Sequence, residues 1–383
     1  MKSIKHSKKI RSGKRVFYLP DDEQSHAYQM IKNELIQKYN IQTNSRDEII
    51  KSLISQLTHG DYIYHTIPTI NLFIFRTDIK NFFPSIKKHK LYQKLNNSNV
   101  LSTKSLQILK EALFSKRTCG IPLGLQFSSH LAEFYLEQFD LEIQENFKPL
   151  SYFRYVDDIL IIQYDFSQNK HEQTEFKKNF LDKIDTLFSK HHLQRNKGKT
   201  EFAFYNQENL KSEMEFNYLG YNFKTAKSQL KINISPDKEA KIIKKINCYV
   251  YDYKKGTQSS QEFWKLYYKL KNTIYGVCSH DKRRKLFKFG LGYNYRYVNE
   301  DASIEKIIKK MQLSIYSCKL SSYKRNTLLS IIDCEKPKDI LAKRYNYLKL
   351  SPAQQELIQK RLNMPTVVKH TDFSSKMFFY LYS

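Results

Sequence analysis

Two adjacent carboxylates, Asp157 and Asp158, sit between Tyr155-Val156 and the run Ile159-Leu160-Ile161-Ile162. Carboxylates enclosed by apolar residues are costly unless a counter-charge neutralises them. A divalent cation does this economically. Hard oxygen ligands suit Mg2+, which is typically held by one or two carboxylates together with substrate phosphates. A surface hairpin tip with acidic turn residues is the other reading of the pair. The second acidic pair, Asp21-Asp22, follows a proline and precedes polar residues, where a solvated turn or helix cap accounts for it. A third carboxylate, Asp78, lies near the end of the apolar run LFIFRTDI at 72–79. Strands carrying Asp78 and Asp157 side by side would bring three carboxylates to one site. That arrangement holds two metal ions about 4 Å apart for phosphoryl transfer.

These residues need rigid elements beneath them. The run at 72–79 has the Phe and Ile content of a strand buried on both faces, and Asn81 to Pro84 closes it with a turn. Residues 151–164 (SYFRYVDDILIIQY) read as two strands meeting at a tight acidic turn. Between them a helical region covers 88–115, and Gly120, Pro122 and Gly124 then break the chain. Phe127, Leu131, Tyr135 and Phe139 recur every four residues, one buried helix stripe. A helix over 171–190 and strands near 200–206 and 215–224 follow. Upstream, Ser12-Gly13 marks the turn of a β-hairpin, preferred to a disordered basic arm, with Arg15 to Leu19 as its second strand. From Ser235-Pro236, an N-cap and first-turn pair, the chain reads as predominantly helical. The order predicts an α+β domain with a helical appendage.

The 383 residues carry 65 Lys+Arg against 38 Asp+Glu, a formal charge of +27. Such a surplus is the footprint of a polyanion partner. The 28 Tyr and 25 Phe offer stacking surfaces for bases, although a coding bias towards Lys, Asn, Ile, Tyr and Phe produces the same composition. No run approaches the roughly 18 apolar residues of a membrane helix, and no apolar h-region follows the Lys-rich N-terminus. Cys119, Cys248, Cys278, Cys318 and Cys334 are scattered without a CxxC pair, which excludes an obvious zinc ribbon or disulfide framework. A soluble, cytoplasmic protein without a membrane partner is expected.

Five blocks then occur in order: RTDIKNFFPSI (76–86), GIPLGLQFSSHLAEFYL (120–136), YVDD (155–158), NKGKT (196–200) and NYLGYNF (217–223). They resemble motifs A to E of reverse transcriptases, and KKIRSGKRVFYLP (8–20) resembles the fingers segment of bacterial members. The resemblance covers about the first 225 residues. It implies a right-hand polymerase fold, with fingers and palm over 1–225, a helical thumb over 226–300 and an α-helical extension over 301–383. Asp78 and Asp157 would be the metal ligands of motifs A and C, Asp158 the second motif C carboxylate, and Ile79 a backbone carbonyl ligand. The implied cofactor is a pair of Mg2+ ions, with Mn2+ as a substitute. Phe83 matches the aromatic gate that excludes a ribose 2′-hydroxyl. Lys9 and Arg15 would contact triphosphate or template, and Gly120 and Gly124 would let the backbone approach template and incoming base. Lys199 matches the lysine that assists the departing pyrophosphate, and Leu219-Gly220 the primer grip. Leu123 stands where many relatives carry Gln, so a side-chain amide contact to the nucleotide is not implied.

The form GIPxGxxxSxxLAxxYL with a following Asp140 is most similar to bacterial reverse transcriptases of the abortive-infection and defence-associated groups, related in their core to retron and group II intron enzymes. The resemblance implies DNA synthesis from dNTPs on an RNA template, with a structured non-coding RNA, the DNA product, and a second copy or second polymerase subunit as partners. A mobile-element enzyme and a non-catalytic RNA-binding subunit are the alternatives. In the region read as thumb, Ile243, Ile246, Val250 and Tyr253 form one apolar stripe and Lys238, Lys241 and Lys245 another face. The basic run Asp281–Lys285 could hold RNA, and the aromatic segment 371–383 is expected to dock as a strand or meet a partner.

Overall fold

The computed structural model describes residues 7–13, 15–115, 118–206, 214–280, 286–365 and 372–382. The chain divides into two compact units, residues 1–219 with 227–229, and residues 220–226 with 230–383.

The first unit opens with an antiparallel hairpin of β1 (Lys8–Ser12) and β2 (Arg15–Leu19). Helices α1 (Asp22–Tyr39) and α2 (Arg46–Leu57) follow. Each begins at a capping box, Asp21 with Gln24 and Ser45 with Glu48. Four strands, β3 (Leu72–Asp78), β4 (Ser151–Tyr155), β5 (Asp158–Tyr164) and β6 (Glu201–Tyr205), form a sheet in the order β4-β5-β3-β6. Every neighbouring pair is antiparallel. Between β3 and β4 run the short helix α3 (Phe82–Ser85), α4 (Lys88–Asn97), α5 (Thr103–Phe114) and α6 (Ser128–Phe147), while α7 (Lys170–Lys190) precedes β6. The region expected as one helix over 88–115 is two. The first ends at Asn97, and Ser102 caps the second, its Oγ accepting from the Ser105 N–H.

Side chains alternate between the faces of a strand. Phe73 and Phe75 of β3, Ile159 and Ile161 of β5, and Phe202 and Phe204 of β6 therefore share one face. They join Leu131, Phe139 and Ile143 of α6 and Phe180, Ile184 and Phe188 of α7 in a single core. Each large apolar side chain buried in this way contributes about 1.5–3 kcal/mol, so the two helices hold the sheet firmly from behind. The opposite face carries Arg76 and Asp78 of β3, Asp158 of β5 and Glu201 of β6 at one end. The first unit also holds the strand β7 (Glu215–Tyr218).

The second unit contains the neighbouring strands β8 (Tyr221–Ala226) and β9 (Gln229–Ile234), then α8 (Pro236–Lys255) and α9 (Ser260–Ile274). On α8, Ile246, Val250 and Tyr253 are buried, whereas Lys238, Lys241 and Lys245 are exposed. The remainder is predominantly helical, as expected, and also contains a small three-stranded sheet that the sequence did not reveal. β10 (Gly276–His280) pairs antiparallel with β11 (Leu286–Phe289) and parallel with β12 (Arg344–Asn346). Segments of three to five residues are too short for a period of two to stand out against helical neighbours. Helices α10 (Leu291–Asn294), α11 (Ala302–Tyr316), α12 (Ser322–Leu329), α13 (Pro352–Leu362) and α14 (Phe373–Tyr382) complete the unit. The final segment is thus a helix rather than a strand, because Phe373, Met377 and Leu381 recur every four residues and are all buried. The basic run 281–285 lies outside the described residues. Among the described residues no helix is long and apolar enough to cross a membrane.

Gly290 shows how tightly the second unit is packed. Its φ is +85°, and a Cβ there would stand 1.9 Å from the Tyr275 carbonyl oxygen. Gly60 has a similar φ of +83° with nothing within 4 Å. Gly60→Ala should cost about 1–2 kcal/mol from backbone strain alone. Gly290→Ala should cost clearly more in urea unfolding, because the carbonyl has to move as well. Equal losses would show that the close approach relaxes freely.

Candidate active site

The register of the sheet decides which carboxylates meet. Asp78 lies opposite Asp158, with Asp157 in the adjoining turn. Asp157 sits in the turn between β4 and β5, and its carbonyl accepts a hydrogen bond from the Ile79 N–H at 2.9 Å. The segments carrying Asp78 and Asp157 are therefore joined by backbone at the point where their acids converge. The turn itself is strained: Val156 has φ +58°, a conformation that costs a β-branched residue energy and persists only where the surroundings impose it.

Arg154 is the main restraint. Its Nη1 donates to the Val156 carbonyl at 3.1 Å. Nε and Nη2 reach both oxygens of Asp140 at 2.8 and 2.6 Å, and Nη2 also reaches Glu133 at 2.5 Å. Tyr152 donates its hydroxyl to the same Asp140 at 2.5 Å. A bidentate guanidinium–carboxylate pair fixes both distance and plane, so α6 holds the acidic turn through Asp140 and Glu133. Arg154 and Glu133 were not singled out from the sequence. Their signal is an arginine two residues from Tyr152 in an otherwise apolar strand.

The three acids are not equivalent. Lys199 Nζ lies 2.5 Å from Asp78 Oδ2, while Asp78 Oδ1 is buried with no hydrogen-bond partner. Arg76 Nη2 donates to Asp158 Oδ1 at 2.7 Å. Burial pushes the Asp157 carboxyl up, and Asp158 and Asp78 add to the shift by repulsion, with Arg15 pulling the other way. Among the described residues, no group of three or more His, Cys, Asp or Glu is placed to hold a metal ion. The three acids nevertheless meet at one end of the sheet, and Asp78 and Asp157 are the two best suited to a cation. An orphaned buried oxygen on Asp78 and an Asp157 carboxyl destabilised by its neighbours are hard donors with negative charge to spare.

Around these acids lie the other residues named from the sequence. Phe83 is half-buried in the short helix α3 after β3, and its carbonyl accepts from the Ile121 N–H at 3.0 Å. Gly120 permits this contact, since a Cβ there would stand 2.0 Å from the Phe83 oxygen. The hairpin β1–β2 seats on the same loop: Tyr18 N–H donates to the Leu123 carbonyl at 2.8 Å, and a Cβ on Gly124 would lie 2.5 Å from the Tyr18 oxygen. Arg15 is thereby brought near Asp157. Lys9 lies with its ammonium 5.2 Å from the centre of the Tyr18 ring. Leu219 (φ +46°) and Gly220 (φ +84°) form a turn with two left-handed residues, and Arg46 Nε donates to the Leu219 carbonyl at 2.8 Å.

Residues 25–223 match the family described as reverse transcriptase (RNA-dependent DNA polymerase). The chain belongs to that family. The match spans the sheet, both helices behind it and the acidic turn, so the α+β fold is that of a reverse transcriptase domain. No curated protein matches the chain. Among solved structures, it is similar to telomerase from Candida albicans in complex with a telomeric RNA fragment, at 13% identity and a TM-score of 0.37, over 89% of this chain and 57% of that one. It is also similar to apo telomerase from Candida tropicalis, at 14% identity and a TM-score of 0.42, over 94% of this chain and 60% of that one. The chain thus spans about three fifths of the length of these telomerase chains.

Arg154→Met should destabilise the reverse transcriptase domain by about 3–5 kcal/mol in urea unfolding, because Asp140 and Glu133 lose the cation they were buried against. Arg154→Lys should recover only part of this, lacking the planar fork. A loss below about 1 kcal/mol for Arg154→Met would mean that the guanidinium does not hold the turn.

Proposed function

We propose that the chain is an RNA-directed DNA polymerase that extends a primer with dNTPs by two-metal phosphoryl transfer. The observation that carries this reading is the meeting of Asp78 with the Asp157-Asp158 turn at one end of the sheet, within a reverse transcriptase domain. Asp78 and Asp157, with the Ile79 carbonyl, would hold Mg2+ or Mn2+, and Asp158 would lie beside the primer end. Bound there, the metal ions would lower the barrier by activating the primer 3′-hydroxyl and stabilising charge on the leaving oxygen.

The chain's own residues supply the rest. Lys199 has an exposed side chain, so it can leave Asp78 and assist the departing pyrophosphate. Phe83 would stand against the sugar, where a rigid ring leaves no room for a 2′-hydroxyl. Arg15 and Lys9 would meet triphosphate or template, Gly124 would permit close approach of the incoming nucleotide, and Leu219-Gly220 would hold the primer backbone. Residues 1–225 would serve as fingers and palm, 226–300 as a thumb presenting Lys238, Lys241 and Lys245 to a duplex, and 301–383 as an extension.

The template would be a structured non-coding RNA and the setting bacterial antiviral defence in the cytoplasm, with a second copy or a second polymerase subunit as partner. This finer reading is supported by the form of the second block, GIPLGLQFSSHLAEFYL with Asp140 after it. A non-catalytic RNA-binding subunit would have no use for three acids crowded at one sheet edge.

Purified protein incubated with its co-purifying RNA, dNTPs and Mg2+ should synthesise DNA, and Asp157→Ala/Asp158→Ala should reduce incorporation to background. Undiminished synthesis by that variant would refute the site. Phe83→Ala should raise the ratio of ribonucleotide to deoxynucleotide use by about 10–200-fold, the range a single pocket contact commands. An unchanged ratio would remove Phe83 from the gate role.

A further inference from the structure

We propose that Arg76 is a positioning residue that withholds Asp158 from the metal, leaving Asp78 and Asp157 as the two carboxylate ligands. The inference rests on the polymerase reading above and divides the labour among its three acids.

The sheet sets the geometry. Arg76 pairs with Leu160 and Asp78 with Asp158, so Arg76 and Asp158 are diagonal neighbours on one face of β3 and β5, a spacing that long side chains bridge. Arg76 spans it at 2.7 Å from Nη2 to Asp158 Oδ1. Its Nη1 donates to the Lys199 carbonyl at 3.1 Å and to Glu201 Oε1 at 3.4 Å. One guanidinium thereby ties β3, β5 and the segment leading into β6. Tyr218, itself fully buried, adds a hydroxyl at 3.4 Å from the Asp158 carbonyl.

A comparison with the other cation identifies which acid is free to change partners. Lys199 holds Asp78 by one contact, and its side chain is 60% exposed. Its ammonium gives up little by returning to water, so a metal ion can take its place on Asp78. Arg76 is only 14% exposed and has three acceptors. Turning Asp158 towards a metal would leave that guanidinium in a confined site with its nearest carboxylate gone, and the loss of one partner of a confined ion pair is costly. Asp78 can therefore be released, whereas Asp158 stays tied. A lysine at 76 would be a poor substitute, since an ammonium cannot present the planar fork that reaches all three acceptors.

The test uses the full chain without nucleotide or nucleic acid, titrated with Mn2+, with the free ion measured by electron paramagnetic resonance. Asp157→Asn should weaken Mn2+ binding by about 10-fold or more, whereas Asp158→Asn should change it by less than about 3-fold. Arg76→Gln should release Asp158 and tighten binding, a gain that Arg76→Gln/Asp158→Asn abolishes and Arg76→Lys shows in part. Asp158→Asn keeps the shape of the side chain, so the comparison with Asp157→Asn stands even if Arg76→Gln folds poorly. Equal losses for Asp157→Asn and Asp158→Asn, in a chain that binds Mn2+, would overturn the Arg76 assignment and leave the polymerase reading intact. An unaltered chain that neither binds Mn2+ nor incorporates dNTPs would overturn both.

Discussion

Repulsion among carboxylates at the end of a buried sheet is the constraint from which the rest of the site follows. Two unit charges about 5 Å apart repel by roughly 3 kcal/mol at the effective dielectric of a protein surface. Here Asp78 and Asp158 face each other across two strands, with Asp157 one residue away. The protein meets this with cations placed one by one: Lys199 on Asp78, Arg76 on Asp158, and Arg15 near Asp157. Each comes from a different segment of the chain. The +27 surplus is therefore not only a field for a distant polyanion. Three of its members assemble the site from the hairpin, the central strand and the segment before β6.

Electrostatics alone would not hold the acids in place, and the backbone carries the remaining burden. Val156 occupies a conformation that a β-branched residue avoids, and Arg154 keeps it there from below through Asp140 and Glu133 of α6. On the other side, the Ile79 N–H grips the Asp157 carbonyl. The turn is thus fixed by a charged pair behind it and by a hydrogen bond from the neighbouring strand in front. Strain at such a point is tolerable because the apolar face of the same sheet is anchored by Phe73, Phe75, Ile159 and Ile161 in the core.

What the sequence revealed divides along physical lines. The acids were legible because Asp157-Asp158 interrupts a run of Ile and Leu, a cost that demands a reason. The hairpin is legible from its Ser12-Gly13 turn, the central strand from its unbroken apolar run, and the helix with Phe127, Leu131 and Phe139 from its regular apolar period. Register is not: period-two alternation names the face of a residue but not its partner across the strand, so that Asp78 lies opposite Asp158 emerges only from the fold. Arg76 and Arg154 were passed over because a single arginine in a strand has no period at all. Their importance lies in partners 82 and 14 residues away. The sheet of β10, β11 and β12 escaped for a related reason, since β12 joins it from more than 60 residues downstream of β10.

The seating of the hairpin β1–β2 on Leu123 and Gly124 has a consequence for the order of assembly. The hairpin is made before its seat, which lies about a hundred residues further along the chain. At the ribosome's pace of roughly 5–20 residues per second, it waits about 5–20 s before Leu123 is available. For that interval Tyr18 has neither its hydrogen bond to Leu123 nor its packing against Gly124. A basic hairpin without its seat attracts polyanions such as RNA. Docking on the glycine loop brings that stage of synthesis to an end.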